Sequence, residues 1–401
     1  MTCAFGLPEL VNHNPFVKNL HDQGYEVDFV GNYFVIYGLP CLDQDGCLQF
    51  GDMFSPVALG EGGVIEPHGT HQVWWRGSKP HAQRAVELGV GIVAAQVQIV
   101  PELITDYAFS LKLREGSQPA RNYESFQEKI ETYLAVIVQP ALNAYPDATP
   151  LRGIERRVAA QQSPLRLPDT ASANYQINDI ANLLRGKKVV IIGLGGTGSY
   201  ILDFVARTHL DCIALFDDDI VHVHTLFRFP GFIENAIGKP KVSALAQQYG
   251  KWHSGIIAVP ERISDGNIDR LREFDFAFVA VDDGPARRFI IEWLSAVPIP
   301  YVDCGMGLNR SFMGLNGVVR ITGVDRFAYE RTVDTRHLPT QNPKDAEYRK
   351  QAQIAELNAL NAALAVIRFK QYFNLYDRSD EAVCYLLETA SFEIDREGRA
   401  V

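Results

Sequence analysis

The chain has 401 residues, 47% of them hydrophobic, and a formal net charge of −10. That length allows two or three packed domains, and the acidic balance excludes nucleic-acid binding through a broad basic surface. Its six cysteines, Cys3, Cys41, Cys47, Cys212, Cys304 and Cys384, form no Cys-x-x-Cys pair, so no structural zinc is expected and a reducing, cytoplasmic setting is the simplest reading.

Taken in chain order, Met1 to Pro15 lacks the basic-then-apolar pattern of a secretory leader. Residues 1–150 read as a smaller α+β domain. Tyr25 to Val30 alternates like a strand, and Tyr33 to Tyr37 follows a Gly31-Asn32 turn, which predicts a hairpin. Gln72 to Trp75 is a further strand, with Trp74 and Trp75 expected to pack within the sheet. The most apolar stretch, Gly89 to Ile104, is interrupted by Gln96, Gln98 and Glu102 and is too short and too polar to span a bilayer. Phe126 to Leu142 has helical spacing, with Ile130, Leu134, Ile137 and Val138 on one face. His68, His71 and His81 show no spacing that fixes a metal site, and a structural role is expected for them.

Residues 151–177, basic and then rich in Gln, Ser and Pro, read as a linker and entry segment. Asn178 to Leu184 is a short helix, and from Lys187 the pattern is strand–helix repeated. Strands are expected at Val189 to Ile192, Ile213 to Phe216, Phe274 to Val281 and Ile299 to Val302. Helices are expected at Tyr200 to His209, Lys241 to Gln248 and Arg287 to Leu294. Residues 323–350 form a polar connection. A long helix, Ala355 to Tyr372, carries Leu357, Leu360, Leu364 and Ile367 as its apolar stripe, and Cys384 to Ile394 reads as a closing strand. This predicts an α/β domain over 178–401, a Rossmann-like, mostly parallel sheet flanked by helices.

Gly193-Leu194-Gly195-Gly196-Thr197-Gly198-Ser199 lies between the first apolar strand and a helix, the order a nucleotide loop requires. Glycines let the backbone approach phosphate, and the helix N-terminus offers free N–H groups and a partial positive charge. Asp217 follows Gly193 by 24 positions at the end of the next strand, where a carboxylate suits the ribose of either NAD or ATP. Downstream, Arg228 and Lys241 supply fixed positive charge, and Asp282 ends a later strand. Cations suit a triphosphate and a carboxylate suits Mg²⁺, which is the equipment of adenylyl transfer. A nicotinamide dehydrogenase needs instead a proton relay at the hydride site, and no convincing one is found in the chain.

From Asn178 to the C-terminus the chain resembles the ThiF/MoeB/ubiquitin-activating adenylyltransferase superfamily. The resemblance rests on four segments in order: Gly-x-Gly-Gly-x-Gly-Ser; Asp217-Asp218-Asp219-Ile220-Val221 with Phe227-Arg228; Gly238-Lys239-Pro240-Lys241-Val242; and Ala280-Val281-Asp282-Asp283 with Arg287. It implies a nucleotide site of Gly193, Gly195, Gly196, Gly198, Asp217, Asp219, Thr225, Arg228 and Lys241, with Asp217 on the ribose and Arg228 and Lys241 on the phosphates. Asp282 is implied as the Mg²⁺ ligand, beside the reacting carboxylate, and Arg228, Lys241 and Asp282 as the catalytic set. ATP and Mg²⁺ are the implied cofactors, and a homodimer is the implied assembly. The implied partner is a ubiquitin-like or sulfur-carrier protein ending in Gly-Gly, activated as an acyl-adenylate with release of pyrophosphate. An NAD-dependent oxidoreductase and a non-catalytic scaffold that docks a ubiquitin-like protein are the alternatives.

Three departures from the family pattern stand out. Thr225 occupies the position where the family carries Asn. The connection at 323–350 holds no cysteine, which leaves the buried-type Cys304 as a weak thioester candidate. The family's N-terminal Arg-Tyr-x-Arg-Gln is missing, and Arg156, Arg157 and Arg166 are the arginines nearest to taking its place. Residues 1–150 resemble an uncharacterised N-terminal domain fused to ThiF-like domains in bacterial proteins, partly through the 67–75 segment, and a ubiquitin-conjugating-like fold with Cys41 or Cys47 as acceptor is one reading of it.

Overall fold

The computed structural model describes residues 7–60, 63–66, 69–101, 103–114, 119–153, 163–175, 177–312, 314–324, 338, 353–379 and 382–397. The chain divides into two compact units, residues 1–161 and 162–401.

The first unit opens with two helices, Leu7–His13 and Pro15–Gln23, neither foreseen from the sequence. Its strands are β1 (Glu26–Val30), β2 (Tyr33–Leu42), β3 (Leu48–Pro56), β4 (Ala58–Leu59), β5 (Ile65–Glu66), β6 (Gln72–Arg76), β7 (His81–Gln83), β8 (Val86–Glu87), β9 (Gly91–Val100) and β10 (Leu103–Ser110). They form an eight-stranded antiparallel sheet in the order β8-β7-β2-β3-β6-β10-β9, with β1 also paired to β2 and a separate β4-β5 ribbon. The hairpin at 26–37 has Val30 opposite Tyr33. The apolar 89–104 stretch is the β9–β10 hairpin. The helix Phe126–Ala144 buries Ile130, Tyr133, Ile137 and Val138 in the same core as Phe34, Ile36 and Trp75. Cys41 sits inside that core, and burial pushes its thiol up to about 12, so it is unsuited to the acceptor role; Cys47 lies exposed at a turn.

The second unit carries β11 (Lys188–Ile192), β12 (Cys212–Phe216), β13 (Ile256–Val259), β14 (Phe276–Val279), β15 (Tyr301–Arg310), β16 (Leu315–Val324), β17 (Cys384–Glu388) and β18 (Ile394–Glu397). They form one sheet in the order β13-β12-β11-β14-β15-β16-β17-β18. The first five strands run parallel and the last three add antiparallel pairs. β11 is apolar from Val189 to Ile192, where it is covered on both faces. Val189 and Ile191 enter one core, and Val190 and Ile192 the other. Each such side chain contributes about 1.5–3 kcal/mol of burial.

Four expectations change. β13, not among the expected strands, is a four-residue apolar run, Ile256 to Val259, at the sheet edge with Ile257 exposed. The strand at 299–302 extends to Arg310 and turns back as β16, and the closing segment is a hairpin, not one strand. The helix Ala355–Tyr372 buries Leu357, Asn358, Asn361, Ala362, Ala365, Val366, Arg368 and Phe369, and Leu360 and Leu364 pack against the core, whereas Ile367 is exposed. Its inward face is therefore wider than the leucine stripe and partly polar. Finally, residues 163–175 are not a free linker. Ser163 and Asp169 reach the two ring nitrogens of His209 at 2.8 and 3.2 Å, and the Arg166 backbone N–H donates to Trp252 O at 2.8 Å. Among the described residues, no helix is long and apolar enough to cross a membrane.

Candidate active site

The loop after β11 is built by close approach. Gly193 has φ +91°, and a Cβ there would lie 2.6 Å from Ala280 O, beyond the end of β14. A Cβ on Gly198 would lie 1.9 Å from Gly193 O, so the turn closes only on glycine. Gly196 lies against the Asn358 side chain, whose Oδ1 accepts from the Thr197 hydroxyl at 3.0 Å. Asn358 thus braces the loop from 161 positions away in sequence. At Gly195 a Cβ would meet nothing within 4 Å, so this point of the loop faces open space. The helix Gly196–Val205 starts there, and the first amides of a helix lack intrahelical acceptors.

Asp217 ends β12 with both carboxylate oxygens occupied. Oδ2 accepts from Leu194 N–H at 2.6 Å and Oδ1 from Asp219 N–H at 2.9 Å. Lys241 Nζ lies 3.5 Å from Asp217 and 2.7 Å from Asp219. Burial raises the Asp217 carboxyl against the opposing pull of Lys241, while the Lys241 hydrogen bond lowers that of Asp219. Lys241 is 5% exposed and begins the helix Lys241–Tyr249. A backbone clasp holds it in place: Lys241 N–H donates to Asp219 O at 2.9 Å, and Val221 N–H to Lys239 O at 2.8 Å.

Arg228 is half-buried, and its Nε is a buried donor without a hydrogen-bond partner. Burial lowers the guanidinium from its usual value, against the attraction of Asp282, Asp219 and Asp217; at such a starting value it remains protonated. The structure thus gathers Arg228 and Lys241 with these carboxylates. Thr225 lies beneath the surface, and its hydroxyl accepts from the His222 backbone N–H at 3.2 Å, closing the turn before Arg228. Asp282 is exposed at the end of the β14 segment. Asp217, Asp218 and Asp219 can bring carboxylate oxygens within 4.8 Å of one another, a grouping that leaves out Asp282.

Beneath this surface lies a feature the motif reading missed. Asp303 on β15 is 0% exposed and sits between Arg287 Nε at 3.0 Å and Arg320 at 2.6 Å. Arg287 also donates to the Val281 carbonyl, which ties the helix Gly284–Ala296 to the segment that presents Asp282. Cys304, next to Asp303, is buried with its thiol pushed well above the usual range. Arg166 donates Nε to Gly250 O at 2.6 Å, while His68, Arg156, Arg157 and most of 323–350 lie outside the described residues.

An open glycine loop, an arginine Nε without a hydrogen-bond partner and an acidic strand end lie at the ends of the parallel strands, where sheets of this kind bind ligands. Residues 171–367 match the ThiF family, and residues 15–170 match a domain of unknown function, DUF6791. The second domain belongs to the ThiF family. The chain is 31% identical over 121 residues to the adenylyltransferase and sulfurtransferase UBA4 of Yarrowia lipolytica, covering 29% of this chain and 30% of that protein. It is 30% identical over 141 residues to the NEDD8-activating enzyme E1 catalytic subunit of Schizosaccharomyces pombe, covering 33% and 30%. The chain therefore spans 30% of the length of these curated relatives. Among solved structures it is similar to E. coli MccB with MccA-N7isoASN, at 17% identity and TM-score 0.46, covering 69% of this chain and 84% of that one.

Proposed function

We propose that this protein is an ATP-dependent adenylyltransferase that activates the C-terminal carboxylate of a ubiquitin-like or sulfur-carrier protein. The observation that carries the reading is the pairing of an open, crowded-glycine loop with Arg228, whose buried Nε lacks a partner. The ThiF match and the names of the two curated relatives support it.

In the proposed reaction a carboxylate oxygen attacks the α-phosphorus of ATP. The bond from the α-phosphorus to the bridging oxygen breaks, pyrophosphate leaves, and an acyl-adenylate forms. Asp217, fixed by two backbone N–H groups, receives the ribose. Arg228 and Lys241 neutralise phosphate charge as it redistributes. Lys241 can turn to phosphate by releasing Asp219, whose side chain is 70% exposed. Asp282 would hold Mg²⁺, which supplies charge neutralisation at the phosphates. No side-chain nucleophile is needed for this half-reaction. The five described cysteines are free, which suits a cytoplasmic enzyme, and a homodimer is the assembly we expect.

The test is pyrophosphate exchange by the full chain with a Gly-Gly-ended ubiquitin-like protein as acceptor. Exchange that depends on ATP and Mg²⁺, and that Asp282→Ala abolishes without unfolding the chain, supports the reading. Binding of NADH with indifference to ATP·Mg²⁺ would sink it, and an active Asp282→Ala protein would remove the metal assignment.

A further inference from the structure

The first domain contains a cavity of about 130 Å³ lined by Thr70, His71, Tyr123, Ser125, Phe126 and Lys129, among others. Lys129 is 4% exposed, and its Nζ donates to Thr70 O at 3.0 Å. An ammonium has three N–H donors, so two remain. Among the described residues no carboxylate lies within 4 Å of it. The adjacent Glu128 is bound at 2.8 Å to Arg121 and accepts from Glu124 N–H at 2.7 Å. Removing a lysine from water without a counter-charge is unfavourable, and burial pulls this amine down to about 7.

The other groups around the cavity bring no negative charge. Burial, with the repulsion of Lys112 and Lys129, holds the His71 imidazole below its ordinary value, and its Nε2 is 2.8 Å from the Ser110 hydroxyl. Lys129 lies in the first turn of the 19-residue helix Phe126–Ala144. The Ser125 side chain accepts from Glu128 N–H at 3.0 Å, and Ser125 O from Lys129 N–H at 3.3 Å. The amides of Phe126 and Gln127 are left, at the positive end of a long helix whose first residue lines the cavity. The Tyr123 hydroxyl donates elsewhere, to Leu111 O at 2.9 Å. A buried lysine amine, an imidazole and a helix start therefore converge on a space of small-molecule size with no carboxylate among its described lining residues.

We propose that this cavity binds a small oxyanion, a carboxylate or a phosphate, which takes the two open donors of Lys129. The site is separate from the adenylation chemistry and does not depend on it. Calorimetric titration of the full chain with sodium acetate and, separately, with inorganic phosphate below neutrality tests it. The expected result is saturable binding of at least one anion, with the two arms distinguishing carboxylate from phosphate. Lys129→Met, near-isosteric and uncharged, weakens that binding by about tenfold or more while melting at or above the wild-type temperature. In the wild-type chain the same anion slows amide exchange in the first turn of the helix, a readout independent of any variant. Absence of binding of both anions up to about 50 mM, equal binding by Lys129→Met, or unchanged exchange in that turn would overturn the proposal.

Discussion

Replacing Asp303 by Asn tests whether the buried ion cluster holds the active-site floor. The substitution keeps shape and removes one negative charge from between two guanidinium groups at 3.0 and 2.6 Å. At an effective dielectric of about 20, one unit charge pair near 3 Å attracts by about 5.5 kcal/mol, and two such pairs act here. Desolvation of each ion, by several kcal/mol, offsets most of that attraction in the wild type, but the penalty for the arginines persists in the variant. Breaking a buried pair from one side generally destabilises by about 3–5 kcal/mol, and we expect that loss for Asp303→Asn. Urea unfolding of the full chain measures it, with amide exchange in β14 to β16 assigning the transition to the second domain. Pyrophosphate exchange should fall in parallel, because Arg287 tethers the Val281 carbonyl beside Asp282. Replacing Arg287, Asp303 and Arg320 together by Met, Leu and Met should restore most of the stability but not the exchange. A loss below about 1 kcal/mol for Asp303→Asn would refute the reasoning, because that is the range of an exposed pair.

Four further outcomes are expected. Gly198→Ala should destabilise the second domain by about 2 kcal/mol or more, because its Cβ would meet Gly193 O at 1.9 Å. Gly195→Ala, with nothing within 4 Å, should fold normally and lose ATP affinity; calorimetry giving undiminished affinity would show that phosphate does not sit over that position. Lys129, held at about 7 against a usual 10.5, makes the folded first domain bind fewer protons than the unfolded chain between those values. Its stability should therefore rise with pH across that window, and the gap between wild type and Lys129→Met should be widest below pH 7 and close above it. Cys304→Ala should leave any thiol-sensitive adduct with a ubiquitin-like protein unchanged, since the thiol is buried and held protonated; loss of the adduct on mass analysis would contradict that.

Local sequence carried much of the fold because each signal lay in neighbouring residues. The Val189 to Ile192 run, the glycines after it and the amphipathic start of the next helix specify a strand, a tight turn and a nucleotide loop without outside help. The acids at 217–219 and 282 fall at strand ends for the same local reason. The stripe at 357–367 located Leu357, Leu360 and Leu364 on the core but not Ile367 or the buried polar residues, because periodicity marks an apolar face, whereas the full buried face of that helix is chosen by what it must touch. Asn358 turns inward to meet Thr197 and Gly196, and Asn361 to donate to Gly305 O at 2.9 Å.

From its sequence alone this protein was legible as an α/β nucleotide-site domain with a separate, smaller domain before it, since apolar period, glycine spacing and charge order are properties of a short stretch of chain. Only the tertiary structure decided which charges share a space. Asp303 reads in sequence as one more strand residue beside a cysteine; it becomes the counter-ion of Arg287 and Arg320 because β15 lies between β14 and β16. Lys129 reads as an ordinary helix cation, and becomes a buried ammonium without a carboxylate because Thr70 and His71 fold over the start of its helix. Burial and electrostatic partnership depend on distance in space, which strand order and helix docking set and the spacing of residues along the chain does not.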